Sequence, residues 1–177
     1  MSESADFTSK SGFLHLLDLV ELQNKEQVFV TPDGNADEVT EQMVRQQKSD
    51  DDGVAFDLRL GSQYYLSGED YPDRLKDGEY LNIQPGQLAL LTTYERFSMP
   101  LDHVAFISMR FRIKAEGLIN VSGFQVDPGF QGVLIFSVYN AGPKTIPIQY
   151  KSKIFTIIFS KASNKINHKR EPVNEIP

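Results

Sequence analysis

The chain contains no cysteine. That excludes disulfides, thiolate zinc sites and cysteine nucleophiles, and it makes the cytoplasm the expected compartment. Histidine is scarce: His15, His103 and His168 are far apart and lack ligand spacing, so no metal centre built on them is expected. No apolar run approaches the roughly 18 residues of a membrane-spanning helix. The first residues, Met1-Ser2-Glu3-Ser4-Ala5-Asp6, are acidic and polar, unlike the basic start and apolar centre of a secretory leader. Internal repeats and low-complexity tracts are also missing.

What remains is an ordinary globular composition. The 177 residues are 40% hydrophobic, enough for one domain with a real core. The net charge of −6 is unevenly spread: residues 1–57 carry 13 acids and 4 bases, residues 58–177 carry 11 acids and 14 bases. The bases of the second part include Arg110, Arg112, Lys114, Lys151, Lys153, Lys161, Lys165, Lys169 and Arg170. Such a body suits a phosphate-bearing small molecule, and equally an ordinary solvated surface of mixed charge. Its bases are too few, and the whole chain too acidic, to expect nucleic-acid binding.

Residues 1–12 read as a loose tail. Gly12 to Val20 is apolar and suits either a short helix or a strand. Gln27 to Thr31 reads as a strand stopped by the Pro32-Asp33-Gly34-Asn35 turn. Asp37 to Gln47 is rich in helix formers, with Val39, Met43 and Val44 at helical spacing, which predicts an amphipathic helix. Lys48 to Gly53 is a charged connector. The pattern then turns to β: Ala55–Leu60, Tyr64–Leu66, Tyr80–Ile83, Leu88–Thr93, Phe106–Ile113, Gly117–Val121, Val133–Tyr139, Thr145–Ile148 and Lys153–Ser160, with a polar insertion over Ser67–Asp77. Many short strands with Gly and Pro punctuation predict a barrel or sandwich. Three parts are expected: an N-terminal extension over 1–52, a barrel over 53–160, and a polar, partly mobile tail over 161–177.

The most telling segment is Gln125-Val126-Asp127-Pro128-Gly129-Phe130-Gln131-Gly132, followed by an apolar strand and Asn140. Pro128 presets the turn and Gly129 gives it backbone freedom. Asp127 stands where a short carboxylate meets either a small polar ligand or backbone donors. The segment resembles the central V/I-D-P-G-F/W-x-G motif of the dCTP deaminase/dUTPase superfamily. Three further blocks match the deaminase branch in order. Val54 to Gly61 resembles S-x-D-L-R-L-G, Ile83 to Arg96 resembles x-P-G-x-F-x-L-x-x-T-x-E, and Ile146 to Phe159 resembles the last barrel strands.

The resemblance implies an all-β, dUTPase-like distorted antiparallel β-barrel (β-clip) with a short N-terminal helical segment. It implies a homotrimer with nucleotide sites at subunit boundaries. The implied nucleotide-binding residues are Asp127, Gly129, Phe130, Arg110, Arg112, Lys114 and Gln125. Asp127 is the one strong catalytic candidate, and Asp57 matches a supporting carboxylate of the dUTPase branch. Mg²⁺ would accompany a bound nucleoside triphosphate; no other cofactor is implied.

The match departs from the family where chemistry is done. The deaminase G-R-S-S-L-A-R segment corresponds to Ser108 to Gly117, which lacks the paired serines. Aligned on Gly117-Leu118, Arg110 matches the first arginine and Ala115 the second; aligned on Asp127, Lys114 takes the second position. The family's acid–base glutamate corresponds to Ser137, whose hydroxyl cannot shuttle protons near neutral pH as a carboxylate does. Three readings follow: a nucleotide-binding or regulatory trimer with degraded deaminase chemistry, an active atypical deaminase or dUTP diphosphatase, and a structural trimer without nucleotide.

Overall fold

The computed structural model describes residues 12–49, 53–167 and 170–177. Expectations for the N-terminal tail over 1–11, the Asp50–Asp52 connector, His168 and Lys169 lie outside the described residues. In chain order the elements are β1 (Gly12–Phe13), α1 (Leu16–Glu26), β2 (Phe29–Val30), α2 (Ala36–Ser49), β3 (Ala55–Leu66), β4 (Asp73–Arg74), β5 (Tyr80–Ile83), β6 (Leu88–Ser98), β7 (His103–Met109), α3 (Phe111–Ala115), β8 (Leu118–Asn120), β9 (Gln125–Val126), β10 (Gln131–Asn140), β11 (Ile146–Gln149) and β12 (Lys153–Lys161). The fold is mainly β, as expected, with the helical stretch near the N-terminus.

Apolar residues spaced two apart drive the sheet. In β3, Phe56, Leu58 and Leu60 are buried while Ala55, Asp57 and Arg59 are half-buried on the other face. The strands follow the order β8-β10-β6-β3-β12-β7-β9, with β1 on β12, β2 on β6 and β4 on β3, and β5 pairs separately with β11. All these pairings are antiparallel. The sheet curls into a half-barrel. Its register slips between Leu60 and Tyr64, between Val133 and Ile135, and between Lys153 and Phe155, and such bulges bend and twist strands. Gly61 sits at the first slip, where a Cβ would lie 2.5 Å from the Thr93 carbonyl oxygen.

The N-terminal segment shares this core. Leu16, Leu19, Val28, Phe29, Val39 and Met43 are buried with the barrel residues, and Phe29 meets Phe97, Phe56 and Phe159 at centroid distances of 4.8, 5.6 and 5.6 Å. The buried Gln23 of α1 fixes β2: its Nε2 donates to the Phe29 carbonyl and its Oε1 accepts the Phe29 N–H, both at 2.8 Å. On α2, Gln42 Nε2 donates to the Asp57 carbonyl at 2.8 Å and Gln46 Nε2 to the Ala55 carbonyl at 2.9 Å; Gln46 Oε1 accepts the Asp57 N–H at 3.1 Å. Those backbone groups lie on a stretch of β3 that β6 does not reach, since β6 pairs from Leu60 onward.

Several expectations are corrected. Ala55–Leu60 and Tyr64–Leu66 form one strand, β3, bent at Gly61, and β6 runs on to Ser98. The strand expected over Phe106–Ile113 stops at Met109 and gives way to α3. Its neighbour β12 pairs with β7 as far as Phe155 opposite Met109 and gives one further bond, from the Arg110 N–H to the Ile154 carbonyl, before the chain turns away. The chain satisfies itself instead: Ile113 and Lys114 N–H groups donate to the Arg110 carbonyl at 3.1 and 3.2 Å. Arg110 and Arg112 therefore do not alternate on a strand. The tail is docked over 170–177, with Ile176 buried. Among the described residues no helix is long and apolar enough to cross a membrane.

Candidate functional site

Two separate places gather the chemistry-bearing residues. The first is a groove of about 590 Å³ between α2 and strands β3 and β12, lined by Arg45, Gln46, Asp57, Arg59, Arg110 and Lys153 among others. Asp57 projects from β3 with its side chain 15% exposed. Arg110 leaves the end of β7, where its N–H donates to the Ile154 carbonyl at 2.9 Å, and its Nη1 donates to Asp57 Oδ2 at 2.7 Å. Lys153 Nζ stands 4.0 Å from the same oxygen. Burial pushes the Asp57 carboxyl above its ordinary value, and the charges of Arg110 and Lys153 oppose the rise. Asp57 is thus a largely buried barrel carboxylate held by an arginine distant in sequence.

Behind it lies a second charged cluster. Arg59 Nε donates to Glu95 Oε1 at 2.6 Å, its backbone N–H to Glu95 Oε2 at 2.9 Å, and its Nη1 to Glu38 Oε1 at 2.7 Å. The guanidinium lies over the Tyr94 ring, 4.3 Å from its centroid. Its Nη2 is buried and has no hydrogen-bond partner among the described residues. Glu95 is fully buried; desolvation raises its carboxyl above the ordinary range, and Arg59 opposes that. Arg112 and Lys114 point elsewhere. Arg112 is exposed beside Glu116 at 3.8 Å, and Lys114 Nζ donates to Ser108 Oγ at 2.7 Å.

The second place is the Asp127 turn. β9 delivers it by pairing with β7, Val126 opposite Ala105. The turn closes through the Phe130 N–H to the Asp127 carbonyl at 3.2 Å, with Gly129 at φ 72°. Phe130 packs on the core edge against Phe97, at 6.4 Å between centroids, and its carbonyl accepts the Met99 N–H at 2.8 Å. The Asp127 carboxylate is half-buried and takes two side-chain donors: Gln125 Nε2 to Oδ1 at 2.7 Å and Arg170 Nη2 to Oδ2 at 2.9 Å. The fold therefore brings together Gln125, Asp127, Gly129 and Phe130. It does not bring Arg110 to them. By register Asp127 lies beside Val104, whereas Arg110 follows the other end of β7, about 20 Å away along the strand.

Ser137 sits half-buried on the outer face of β10, with Leu90 beside it on β6 and its carbonyl accepting the Val121 N–H at 2.8 Å. Around it that face carries Ile119, Val121 and Tyr139, exposed by 43, 51 and 36%. Asn140 is buried and structural: its Nδ2 donates to the Ile83 and Lys144 carbonyls at 2.8 Å each, and its Oδ1 accepts the Gly142 N–H at 2.9 Å. Among the described residues no group of three or more His, Asp or Glu side chains is placed to hold a metal ion. Sequence reasoning missed two features. Glu95 was visible as the match to the closing glutamate of its motif but carried no sign of its pairing with Arg59. Arg170 lay in a polar tail with no local signal.

The sequence profile of a family described as dCTP deaminase-like matches residues 34–162. The chain is 34% identical over 106 residues to a dCTP deaminase of Pyrococcus abyssi, covering 60% of this chain and 67% of that protein. It is 30% identical over 138 residues to a dCTP deaminase of Shewanella sp. (strain W3-18-1), covering 64% of this chain and 72% of the relative. Among solved structures, the 2′-deoxycytidine 5′-triphosphate deaminase of Agrobacterium tumefaciens aligns with a TM-score of 0.63 over 86% of this chain. At 15% identity that likeness concerns the fold alone, and this chain spans about half, 48%, of that protein. With the Asp127 turn, the Asp57 strand and the Glu95 strand in family order on a half-barrel of matching shape, the chain belongs to the dCTP deaminase-like family.

Proposed function

We propose that the protein is a homotrimeric module that binds a pyrimidine deoxyribonucleotide, dCTP or dUTP, at subunit boundaries and has lost efficient deaminase chemistry. The observation that carries this reading is the separation of the two polar clusters. Asp57 with Arg110, and Asp127 with Gly129 and Phe130, face different places on one protomer, too far apart to grip one nucleotide. A neighbouring copy that sets its Asp127 turn against the Arg110 end of the first completes a site neither holds alone. The apolar outer face around Ile119, Val121 and Tyr139 is a surface such a copy would cover.

In this assembly Arg110 offers a planar fork to phosphate oxygens, and binding requires it to leave Asp57 or to share it. Asp127 accepts hydrogen bonds from the sugar or base. Mg²⁺ would arrive with the triphosphate. The carboxylate that would relay protons has Ser137 in its place, and Glu95, five residues along β6 from the Leu90 that faces Ser137, is locked in the core by Arg59. A second reading, an active atypical enzyme, is favoured by the names of the relatives and by Asp57 and Asp127 both being present. A cytoplasmic setting fits a chain without cysteine.

The test is a calorimetric titration with dCTP and dUTP, with and without Mg²⁺, alongside sedimentation and a product assay. Micromolar binding by a trimer with no uridine nucleotide formed is the expected outcome. Loss of general acid–base catalysis alone removes about 10²–10⁴-fold in rate. Turnover at an ordinary enzymatic rate overturns the loss of chemistry. A monomer in solution overturns the shared site.

A further inference from the structure

The edge of β10 is paired by β8 only over Val138–Asn140, which leaves its beginning open on that side. An open edge exposes backbone groups that need partners. The chain's own end supplies them. Val173 N–H donates to the Gln131 carbonyl at 2.9 Å, Val133 N–H donates to the Val173 carbonyl at 2.8 Å, and Gly132 and Val173 form a parallel bridge. Gly132 is needed there: at φ 111° a Cβ would fall 1.7 Å from the Val173 carbonyl oxygen. Beyond Val173 the strap is anchored by Asn174 to the Arg96 guanidinium, by Glu175 to Arg74 at 3.7 Å, and by the Ile176 N–H to Gln63 Oε1 at 2.7 Å. Ile176 itself is buried.

The other end of the strap reaches the Asp127 turn. The Arg170 N–H donates to the Gly129 carbonyl at 2.9 Å while its guanidinium takes Asp127 Oδ2. Gln125 holds the other carboxylate oxygen. Both oxygens that a sugar hydroxyl or a base amino group would seek are already engaged by the chain.

We infer that residues 170–176 form an autoinhibitory strap whose Arg170 occupies the Asp127 carboxylate, so that a pyrimidine deoxynucleotide binds only by displacing it. The inference rests on the reading of Asp127 as part of the nucleotide site. Its geometry separates hold from release. The anchors at Asn174, Glu175 and Ile176 do not involve Asp127, so Arg170 can swing away while the far end stays docked. The Arg170–Asp127 pair is about half exposed, the class of contact that opens at small cost. A binding-competent form that is only fractionally populated lowers apparent affinity by that fraction. Anything that draws the strap off would raise affinity without touching the pocket.

The test compares the full chain with Arg170→Ala and Arg170→Lys, by calorimetric titration with dCTP and with dUTP and by hydrogen exchange at the Val173 amide. Arg170→Ala is expected to tighten nucleotide binding several-fold, up to about tenfold. Arg170→Lys should fall between it and the parent, because an ammonium still pairs with Asp127 but without the fork. In Arg170→Ala the Val173 amide should keep its protection, since its partners lie at the other end. Binding that is unchanged or weakened in Arg170→Ala overturns the strap and leaves the nucleotide reading standing, with Arg170 then a structural or ligand-holding residue. Failure of both nucleotides to bind any of the three forms overturns the nucleotide reading, and the strap falls with it.

Discussion

Two arginine–carboxylate pairs stand at different places on the half-barrel, one between β3 and β6 and one at the turn after β9. Arg59 meets Glu95 at 2.6 Å and Arg170 meets Asp127 at 2.9 Å. Their surroundings differ. The side chains of the first pair are 14% and 0% exposed, those of the second 53% and 39%. Glu95 also accepts the Arg59 backbone N–H, and Arg59 is bound in turn by Glu38 and the Tyr94 ring. The same chemistry therefore serves two ends. In the core it cannot open without stranding a charge, so it pins β3 to β6. At the turn, water replaces either partner, so the contact can exchange with a ligand.

Breaking the buried pair should have the largest effect. Glu95→Ala leaves a buried guanidinium without its main partner and should cost about 3–5 kcal/mol, read by urea denaturation. A cost no greater than that of Arg170→Ala would erase the distinction. Gly132→Ala comes next. The left-handed backbone and the Val173 carbonyl leave no room for a methyl group, so a loss of about 1–3 kcal/mol is expected, with faster hydrogen exchange at the Val173 amide. An unchanged exchange rate there would mean the strap is not held by this close approach. Arg170→Ala should change stability by less than about 1 kcal/mol, and that small difference should shrink further as salt is added.

The smallest expected effect tests a third group, His103. It is buried, with Nδ1 2.9 Å from Asp102 Oδ1. Burial holds its ring below the ordinary value of 6.5, against the pull of Asp102. The unfolded chain then binds more protons than the folded one between that lowered value and 6.5. Stability should fall as pH drops through this window and be unaffected by His103 above it. His103→Asn should flatten that part of the curve measured by thermal unfolding, and a slope that persists would assign it to other groups.

Much of the half-barrel was legible because period-two burial is written into strands such as Phe56-Asp57-Leu58-Arg59-Leu60, and because Pro85-Gly86 and Pro128-Gly129 punctuate it. The helix α2 was legible for the same reason at a different period. The stretch Phe111 to Ile113 misled, since aromatic and β-branched residues suit a strand only where a neighbour offers a ladder, and the last bond from β12 is the one to Arg110. The site was harder. Asp57 and Arg110 are joined across 53 positions by folding alone, and Arg170 reaches Asp127 from a tail whose composition is mostly polar. Contacts of that kind depend on where strands end, which periodicity does not encode.

Two of the three glutamines of α2 have a bearing on solubility. Gln42 and Gln46 satisfy the Ala55 and Asp57 backbone groups that a neighbouring strand would otherwise bind. Side-chain amides here imitate a strand while presenting nothing that a further chain can extend. This stretch of β3 thus lies against a helix in place of a strand, and edge-to-edge growth is blocked on that side by two side-chain amides.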